Sequence, residues 1–124
     1  MTGGAGFIGS HLVERLLGDG HAVRILDDFS TGRRENLAFA KPGAALEVVE
    51  GDIRDSRTVR DAVAGVDGVF HEAALVSVPR SVEEPEVSCA INAHGTARVF
   101  DAARRAGGRR VVFASSAAVY GDTA

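Results

Sequence analysis

A chain of 124 residues forms one domain or part of one, and its apolar content of 45% is sufficient for a hydrophobic core. The net charge of −3 gives no field that would attract a polyanion, which argues against nucleic acid or an anionic membrane surface as the main partner. A single cysteine, Cys89, excludes an internal disulfide and a cysteine metal cluster, and it is typical of the reducing cytoplasm. We predict a cytoplasmic protein without a metal, and no apolar run approaches the roughly 20 residues of a membrane span.

Glycines dominate the amino-terminal segment TGGAGFIGS (residues 2–10). Gly3, Gly6 and Gly9 are spaced by three, and Gly4-x-Gly6-x-x-Gly9 is the literal dinucleotide fingerprint. Such a turn reverses tightly, brings bare backbone close to a pyrophosphate and packs a helix start against a strand. A mobile turn is the alternative, and a strand before the glycines with a helix after them would decide between the two.

The helix after the glycines is clear, whereas the strand before them is not. Apolar residues recur at helical spacing from Phe7 to Leu17, and Gly18 begins the segment that ends the helix. Only Met1 and Thr2 precede the glycines, too few for a strand of ordinary length. We interpret this as a chain that starts late, either a fragment or a misplaced start.

The second strand (residues 21–26) ends at two acids, Asp27 and Asp28. An acid about 20 residues after the glycines is the expected ligand of the adenosine ribose, where it repels a 2′-phosphate and favours NAD over NADP. Asp27 is the better candidate because it directly follows the apolar run, whereas Asp28 can be a turn residue. Arg33 and Arg34 lie close enough to weaken this preference.

The middle of the chain continues the alternation of strand and helix. Leu46–Glu50 is predicted as the third strand, and Asp52 after it could contact an adenine amino group or instead form an Asx turn or helix cap. A short helix (residues 56–64) leads to the fourth strand, Gly68–His71. We interpret His71 as a packed histidine at a strand end rather than as a catalyst.

The last third contains a long helical pattern and an apolar strand. Pro79 and Pro85 predict that residues 76–85 form a loop or at most one helical turn. Residues 87–106 carry the long helical pattern. The fifth strand (residues 111–114) is fully apolar, as a buried parallel strand should be, and it is followed by Ser116.

Strands that alternate with helices predict an α/β fold with a doubly wound parallel sheet, incomplete at both ends in this chain. Ligands of such sheets bind beyond the carboxyl ends of the strands. Five loops converge on that edge, and their residues include Gly3, Gly6, Gly9, Asp27, Asp52, Ala73, Ala74, Ser115 and Ser116.

The chain resembles the extended short-chain dehydrogenase/reductases, and in particular the NAD-dependent sugar-nucleotide epimerase/dehydratase group. The resemblance rests on TGGAGFIGSH (2–11), DDFSTGRREN (27–36), GDIRD (51–55), HEAALVSVPRS (71–81), NAHGT (92–96) and FASSAAVYGD (113–122). It implies that residues 1–124 are part of an NAD-binding Rossmann-like domain, and that the carboxyl-terminal substrate domain is absent from this chain.

The resemblance also implies a role for individual residues. The pyrophosphate would be held by Gly3, Gly6, Phe7, Ile8 and Gly9, and the adenosine ribose by Asp27, Ser30, Thr31 and Gly32. Asp52 and Ile53 would flank the adenine, while Ala73, Ala74, Leu75 and Asn92 would form or stabilise the cofactor cleft. Ser116 would be the serine that hydrogen-bonds the reacting sugar hydroxyl, and Ser77 and Arg80 would approach the hexose.

Two residues after Ser116 indicate the branch of the family. Dehydratases and the related decarboxylases carry an acid just after the serine or threonine of the fifth strand, whereas Ala117 and Ala118 stand here and cannot transfer a proton. The loop SVPRS (77–81) is similar to that of UDP-hexose 4-epimerases. The resemblance therefore implies a UDP-sugar 4-epimerase, which oxidises C4 transiently and returns the hydride to the other face, and which forms a homodimer.

The chain departs from the family in its catalytic base. A Tyr-x-x-x-Lys pair should follow Ser116 by some two dozen residues. Tyr120, which belongs to the turn after the fifth strand, has no lysine after it, and the only lysine is Lys41. We expect the 124-residue polypeptide to be inactive alone.

Two alternatives remain. The first is a non-catalytic dinucleotide-binding sensor, against which Ser116 argues, because a binder has no need of that hydroxyl. The second is a dehydratase, reductase or dehydrogenase of the same family. A downstream Tyr-x-x-x-Lys would exclude the sensor, and tight retention of NAD would favour the epimerase over an enzyme that releases its cofactor.

Overall fold

A computed structural model describes residues 1–121, so Asp122, the last residue of the 113–122 motif, lies outside the described range. Within residues 1–121 four strands are formed: β1 (Val23–Asp27), β2 (Leu46–Glu50), β3 (Gly68–His71) and β4 (Arg110–Phe113). β1 pairs with β2 and β3 pairs with β4, both in parallel. Val23 lies opposite Leu46 in the first pair, and Gly68 lies opposite Arg110 in the second.

The amino-terminal stub, defined here as Met1 and Thr2, joins the two strand pairs. Thr2 forms parallel bridges to Leu26 of β1 and to His71 of β3. Its amide donates to the Phe70 carbonyl at 2.9 Å, and the Leu26 amide donates to the Met1 carbonyl at 2.8 Å. The order across the sheet is therefore β2–β1–stub–β3–β4, with the stub in the central position.

In the described part of the chain, five α-helices connect these strands: α1 (Phe7–Gly18), α2 (Ser56–Val63), α3 (Val78–Glu83), α4 (Pro85–Cys89) and α5 (Thr96–Arg105). A π-helical segment (Ala90–Gly95) links α4 to α5, and single 3-10 turns occur at Arg34–Leu37 and Ala117–Tyr120. Among the residues that the structure describes, no helix combines the length and the apolar character needed to cross a membrane.

The prediction of a loop or a single turn at residues 76–85 was wrong. This segment contains the six-residue helix α3. Pro79 lies in its first turn, where a missing amide proton costs nothing, and the Ser77 side chain caps it by accepting from the Arg80 amide at 3.4 Å. Proline therefore starts this helix rather than preventing it.

Helices cover both faces of the sheet, which confirms the doubly wound arrangement. On one face Val23 and Ile25 of β1 pack with Val13 of α1. On the other face Leu26 of β1 belongs to a core that includes Val59 of α2, Val69 of β3 and Val99 of α5. Alternate residues of β1 thus enter different cores, as the two-residue period of a strand requires.

Candidate cofactor site

The glycine turn (residues 3–9) requires glycine at two positions in particular. Gly3 has a φ of 67°, and a Cβ there would lie 2.6 Å from the Ala73 amide nitrogen. A Cβ on Gly9 would overlap the Gly3 carbonyl oxygen. The turn is therefore packed against the loop that follows β3 at one end and against the start of α1 at the other. Thr2, bridged in parallel to β1 and β3, precedes the turn and α1 follows it, in the order of strand, turn and helix that a dinucleotide fingerprint needs.

The amino terminus of α1 is suited to an anion. Its N-cap is Gly6, and within the described part of the chain no side chain caps it and no acid lies in its first turn. By contrast, Asp55 caps α2 by accepting from the Arg57 amide. The first-turn amides of α1 and the positive end of its dipole therefore remain available for a phosphate group.

Asp27 is fixed by the glycine turn. The carboxylate is buried, with 7% of the residue exposed. Oδ2 accepts from the Ala5 amide at 2.9 Å, and Oδ1 accepts from the Phe29 amide at 2.9 Å. Since an ionised carboxylate has about four acceptor sites, each oxygen can still accept from a ribose hydroxyl. Asp27 also lines the cleft described below.

Asp28 behaves as the turn residue that the sequence allowed. Its Oδ1 accepts from the Ser30 amide at 2.9 Å and from the Ser30 hydroxyl at 2.7 Å. These contacts engage Oδ1 and shape the loop after β1, and Asp28 also lines the cleft. Asp27 differs from it in being buried and bonded to the glycine turn. Asp27 is therefore the stronger candidate ligand for a ribose.

Arg34 is already engaged by other side chains. Its Nη2 donates to Glu50 Oε2 at 2.5 Å, and its guanidinium lies 4.3 Å from the centre of the Phe29 ring. The Arg33 amide donates to the Ala5 carbonyl at 3.0 Å and so contributes to the loop backbone. The ion pair with Glu50 weakens the case for Arg34 as a 2′-phosphate ligand.

Asp52 forms the predicted Asx turn, and its contact with an adenine stays a prediction. Asp52 lines the cleft, and its Oδ1 also accepts from the Arg54 amide at 2.7 Å, which is the Asx turn. The hydrogen bond from the Arg54 side chain lowers the pKa of the Asp52 carboxyl. Ile53 beside it is buried, and a Cβ on Gly95 would lie 2.6 Å from Ile53 Cδ1. Gly95 thus allows the π-helical segment to approach this wall of the cleft.

The loop after β3, here called the cleft loop (residues 73–75), is held by Asn92. The Leu75 amide donates to Asn92 Oδ1 at 2.8 Å, and Asn92 Nδ2 donates to the Leu75 carbonyl at 3.0 Å. Asn92 does not itself line the cleft. It acts on the cleft through the backbone of Leu75.

His71 is a packed histidine at the end of β3, as the sequence suggested. Only 4% of the residue is exposed. Nδ1 lies 2.6 Å from Thr2 Oγ1, and Nε2 lies 2.9 Å from Thr96 Oγ1. Burial, together with the charge of the nearby amino terminus, lowers the pKa of the imidazole.

A single cleft at the carboxyl edge of the sheet brings most of the predicted residues together. Those that line it are Gly3, Gly6, Asp27, Ser30, Thr31, Gly32, Asp52, Ile53, Ala73, Ala74, Leu75, Ser77 and Arg80. Those that do not line it are Phe7, Ile8, Gly9, Asn92 and Ser116. Phe7, Ile8 and Gly9 are the first three residues of α1, at the edge of the cleft, and the Phe7 and Ile8 side chains are exposed.

Sequence reasoning missed several lining residues: Leu26, Gly51, Glu72, Val76 and Ile91. Glu72 is the most informative, because burial raises the pKa of its carboxyl. Its position between His71 and Ala73, both singled out from the sequence, was the available signal. Within the described residues no group of three or more His, Cys, Asp or Glu side chains is arranged for a metal.

The predicted substrate residues also have structural contacts. Ser77 caps α3, and Arg80 Nε donates to Glu84 Oε2 at 2.9 Å. Ser116 is exposed, and its Oγ accepts from the Ala118 amide at 3.1 Å at the start of the last 3-10 turn. Because β1 and β4 run parallel in one sheet, Ser116 and Asp27 lie beyond the same edge. Tyr120 in that turn is 79% exposed.

The family model described as the NAD dependent epimerase/dehydratase family matches residues 1–124. The chain belongs to this family. Its similarity extends to a UDP-glucose 4-epimerase of Mycolicibacterium smegmatis, with 50% identity over 123 residues. That match covers 98% of this chain and 39% of the relative, so the chain spans about two fifths of the length of this family member.

Solved structures of other family members have the same fold. A UDP-N-acetylglucosamine 4-epimerase from Methanobrevibacter ruminantium, in complex with UDP-N-acetylmuramic acid, is 40% identical with a TM-score of 0.88, covering 98% of this chain and 38% of that one. A double mutant of DesIV, a dTDP-glucose 4,6-dehydratase from Streptomyces venezuelae with NAD bound, is 40% identical with a TM-score of 0.90, covering 98% and 40%. The cofactor of this family is NAD.

Proposed function

We propose that residues 1–124 form the NAD-binding part of a UDP-sugar 4-epimerase. The observation that carries the cofactor assignment is Asp27, whose buried carboxylate is anchored to the glycine turn and faces the cleft. Asp27 would accept from the ribose hydroxyls, and the first turn of α1 would bind the pyrophosphate. Asp52 and Ile53 would flank the adenine, and the cleft loop would line the other half of the cofactor.

The choice of an epimerase rests on the residues after Ser116 together with the relatives. NAD, when bound, supplies a hydride acceptor and donor at the sugar carbon. Ser116 would orient the sugar hydroxyl and stabilise charge on its oxygen, and such a donor contributes on the order of 10²-fold in rate. Ala117 and Ala118 offer no acid to expel water. Ser77 and Arg80 line the cleft and would approach the hexose.

A dehydratase of the same family is the second candidate, because the chain is 40% identical to a dTDP-glucose 4,6-dehydratase at a TM-score of 0.90. Elimination requires a proton donor for the departing hydroxyl. The alanines after Ser116 favour epimerisation over this reaction. The predicted homodimer and cytoplasmic location belong to the proposal for the whole protein.

The test is a turnover assay on two proteins, the 124-residue chain and the longest protein that its gene encodes. Both are incubated with UDP-glucose, and the products are identified by proton NMR. We expect the longer protein to form UDP-galactose and its Ser116→Ala variant to be slower by about 10²-fold. We expect no turnover by the 124-residue chain, because it lacks a tyrosine–lysine base. Turnover by that chain alone, or a 4-keto-6-deoxy product, would contradict the proposal.

A further inference from the structure

Three polar side chains from different parts of the fold meet behind the cleft. Thr2 of the stub, His71 of β3 and Thr96 of α5 form a chain of hydrogen bonds, with His71 in the middle. Thr2 and His71 are almost fully buried, with 3% and 4% of each residue exposed. The family assignment gives none of these side chains a catalytic task.

The direction of each hydrogen bond between Thr2, His71 and Thr96 follows from the number of protons that each group can donate. The Thr96 hydroxyl donates its only proton to the Asn92 carbonyl, at 2.7 Å. Thr96 Oγ1 can therefore only accept from His71, so Nε2 must carry a proton. In a neutral ring Nδ1 is then an acceptor, and the Thr2 hydroxyl donates to it. Burial favours that neutral ring.

Both ends of this series of hydrogen bonds, Thr2 and Thr96, act on the cleft loop. At one end the Ala73 amide points at Thr2 Oγ1, at 3.4 Å. At the other end Thr96 bonds the backbone of Asn92, whose side chain holds the amide and the carbonyl of Leu75. The cleft loop is thus fixed at its first and last residues by one continuous set of hydrogen bonds that passes through His71.

We propose that His71, as the neutral Nε2–H tautomer, is a positioning residue that fixes the cleft loop and thereby strengthens cofactor binding without touching the cofactor. The effect on affinity rests on the proposed function. The tautomer and the hydrogen-bond direction are properties of this chain alone. The two parts can therefore be tested separately.

The first measurement is the tautomer of His71, from nitrogen-15 NMR of histidine-labelled protein. The chain has four histidines, and the His71 signals are identified by their loss in His71→Gln. We expect a protonated Nε2 and an unprotonated Nδ1 at neutral pH, and a change of this pattern in Thr96→Val, which removes the acceptor. An Nδ1–H tautomer in the wild-type chain would overturn the proposal.

The second measurement is the affinity for NAD by calorimetry, comparing Thr96→Val with Thr96→Ser. The valine variant has the same shape but no hydroxyl, and we expect about five- to tenfold weaker binding, since the Nε2–H is left without a partner. The serine variant keeps the hydroxyl and should bind within about twofold of wild type. Equal affinity in the valine and serine variants would overturn the positioning role.

His71→Asn and His71→Gln provide a second pair if Thr96→Val does not fold. Asparagine can replace only the Nδ1 contact and glutamine only the Nε2 contact, so each should bind NAD more weakly than wild type. Unchanged affinity in both would contradict the proposal. If the wild-type chain itself bound no NAD, the proposed function would fail, and the tautomer measurement would still decide the direction of the hydrogen bonds.

Discussion

Two neighbouring aspartates at the end of β1 have separate tasks. Asp27 is buried and bonded to the glycine turn, while Asp28 holds Ser30 in the adjoining loop. The sequence favoured Asp27 because it directly follows the apolar run. It could not show that the Ala5 amide orients this carboxylate, since that contact joins residues 22 positions apart in the chain.

We predict that Asp27→Asn weakens NAD binding by about 10- to 100-fold. A neutral amide removes the ionised acceptor of the ribose hydroxyls, and charge-assisted hydrogen bonds are worth about 1.5–3 kcal/mol. Asp28→Asn is the matched control and should change affinity by no more than about threefold, because Asp28, which also lines the cleft, shapes the loop through Oδ1, and asparagine retains that oxygen. Calorimetric titration of both variants with NAD measures these affinities, and an equal loss of affinity in the two variants would contradict the role of Asp27.

His71 makes stability depend on pH in a defined direction. Burial lowers the pKa of the folded imidazole, so the unfolded chain binds the proton more readily. The contribution of His71 to stability is therefore complete above the ordinary histidine pKa of about 6.5 and is lost as the pH falls through the folded value. The unfolding free energy should decrease on acidification over this range.

Urea titrations at pH 7.5 and 5.5 test this dependence (~2 pH units spanning the ordinary value). We expect a smaller decrease between the two conditions in His71→Gln than in wild type. His21→Gln, at an exposed position, controls for the substitution itself. A decrease of the same size in all three proteins would show that His71 does not cause it.

The helical run from Pro85 to Arg105 shows what periodicity can and cannot predict at the scale of an element. The sequence indicated a long helix there, and the chain is helical throughout, but the middle six residues adopt the wider π geometry. One extra residue per turn hardly changes an apolar pattern over so short a segment. Likewise, the prolines that suggested a loop at residues 76–85 lie at positions that a helix start tolerates.

We predict that Gly95→Ala lowers the free energy of unfolding by about 1–3 kcal/mol. The added Cβ would lie 2.6 Å from Ile53 Cδ1, so the π-helical segment or the wall of the cleft must shift. Gly18→Ala is the control, because a Cβ there meets nothing within 4 Å. Urea unfolding measures both variants, and a Gly95→Ala protein as stable as Gly18→Ala would contradict the close approach.

At the scale of the whole molecule, the alternation of strands and helices was enough to predict the sheet and the edge at which the candidate site lies. The position of the stub was harder to predict, because two residues are too few to show the alternating pattern of a strand. Thr2 occupies the central position of the sheet because it forms bridges to Leu26 and His71, and both of these residues lie far from it in the sequence. The position of Glu72 in the cleft was also not predictable from the sequence, because it depends on where β3 ends.

We propose that the glycine turn, Asp27 and the cleft loop bind one dinucleotide at a common edge of the sheet. Titration of the nitrogen-15-labelled chain with NAD, followed by amide NMR, tests it most directly. We expect the amide signals of the first turn of α1, the end of β1 and the cleft loop to shift together with one affinity. NADP should produce the same shifts only at higher concentration. No shifts at saturating NAD, or shifts confined to the opposite edge around Val23 and Gly68, would contradict it.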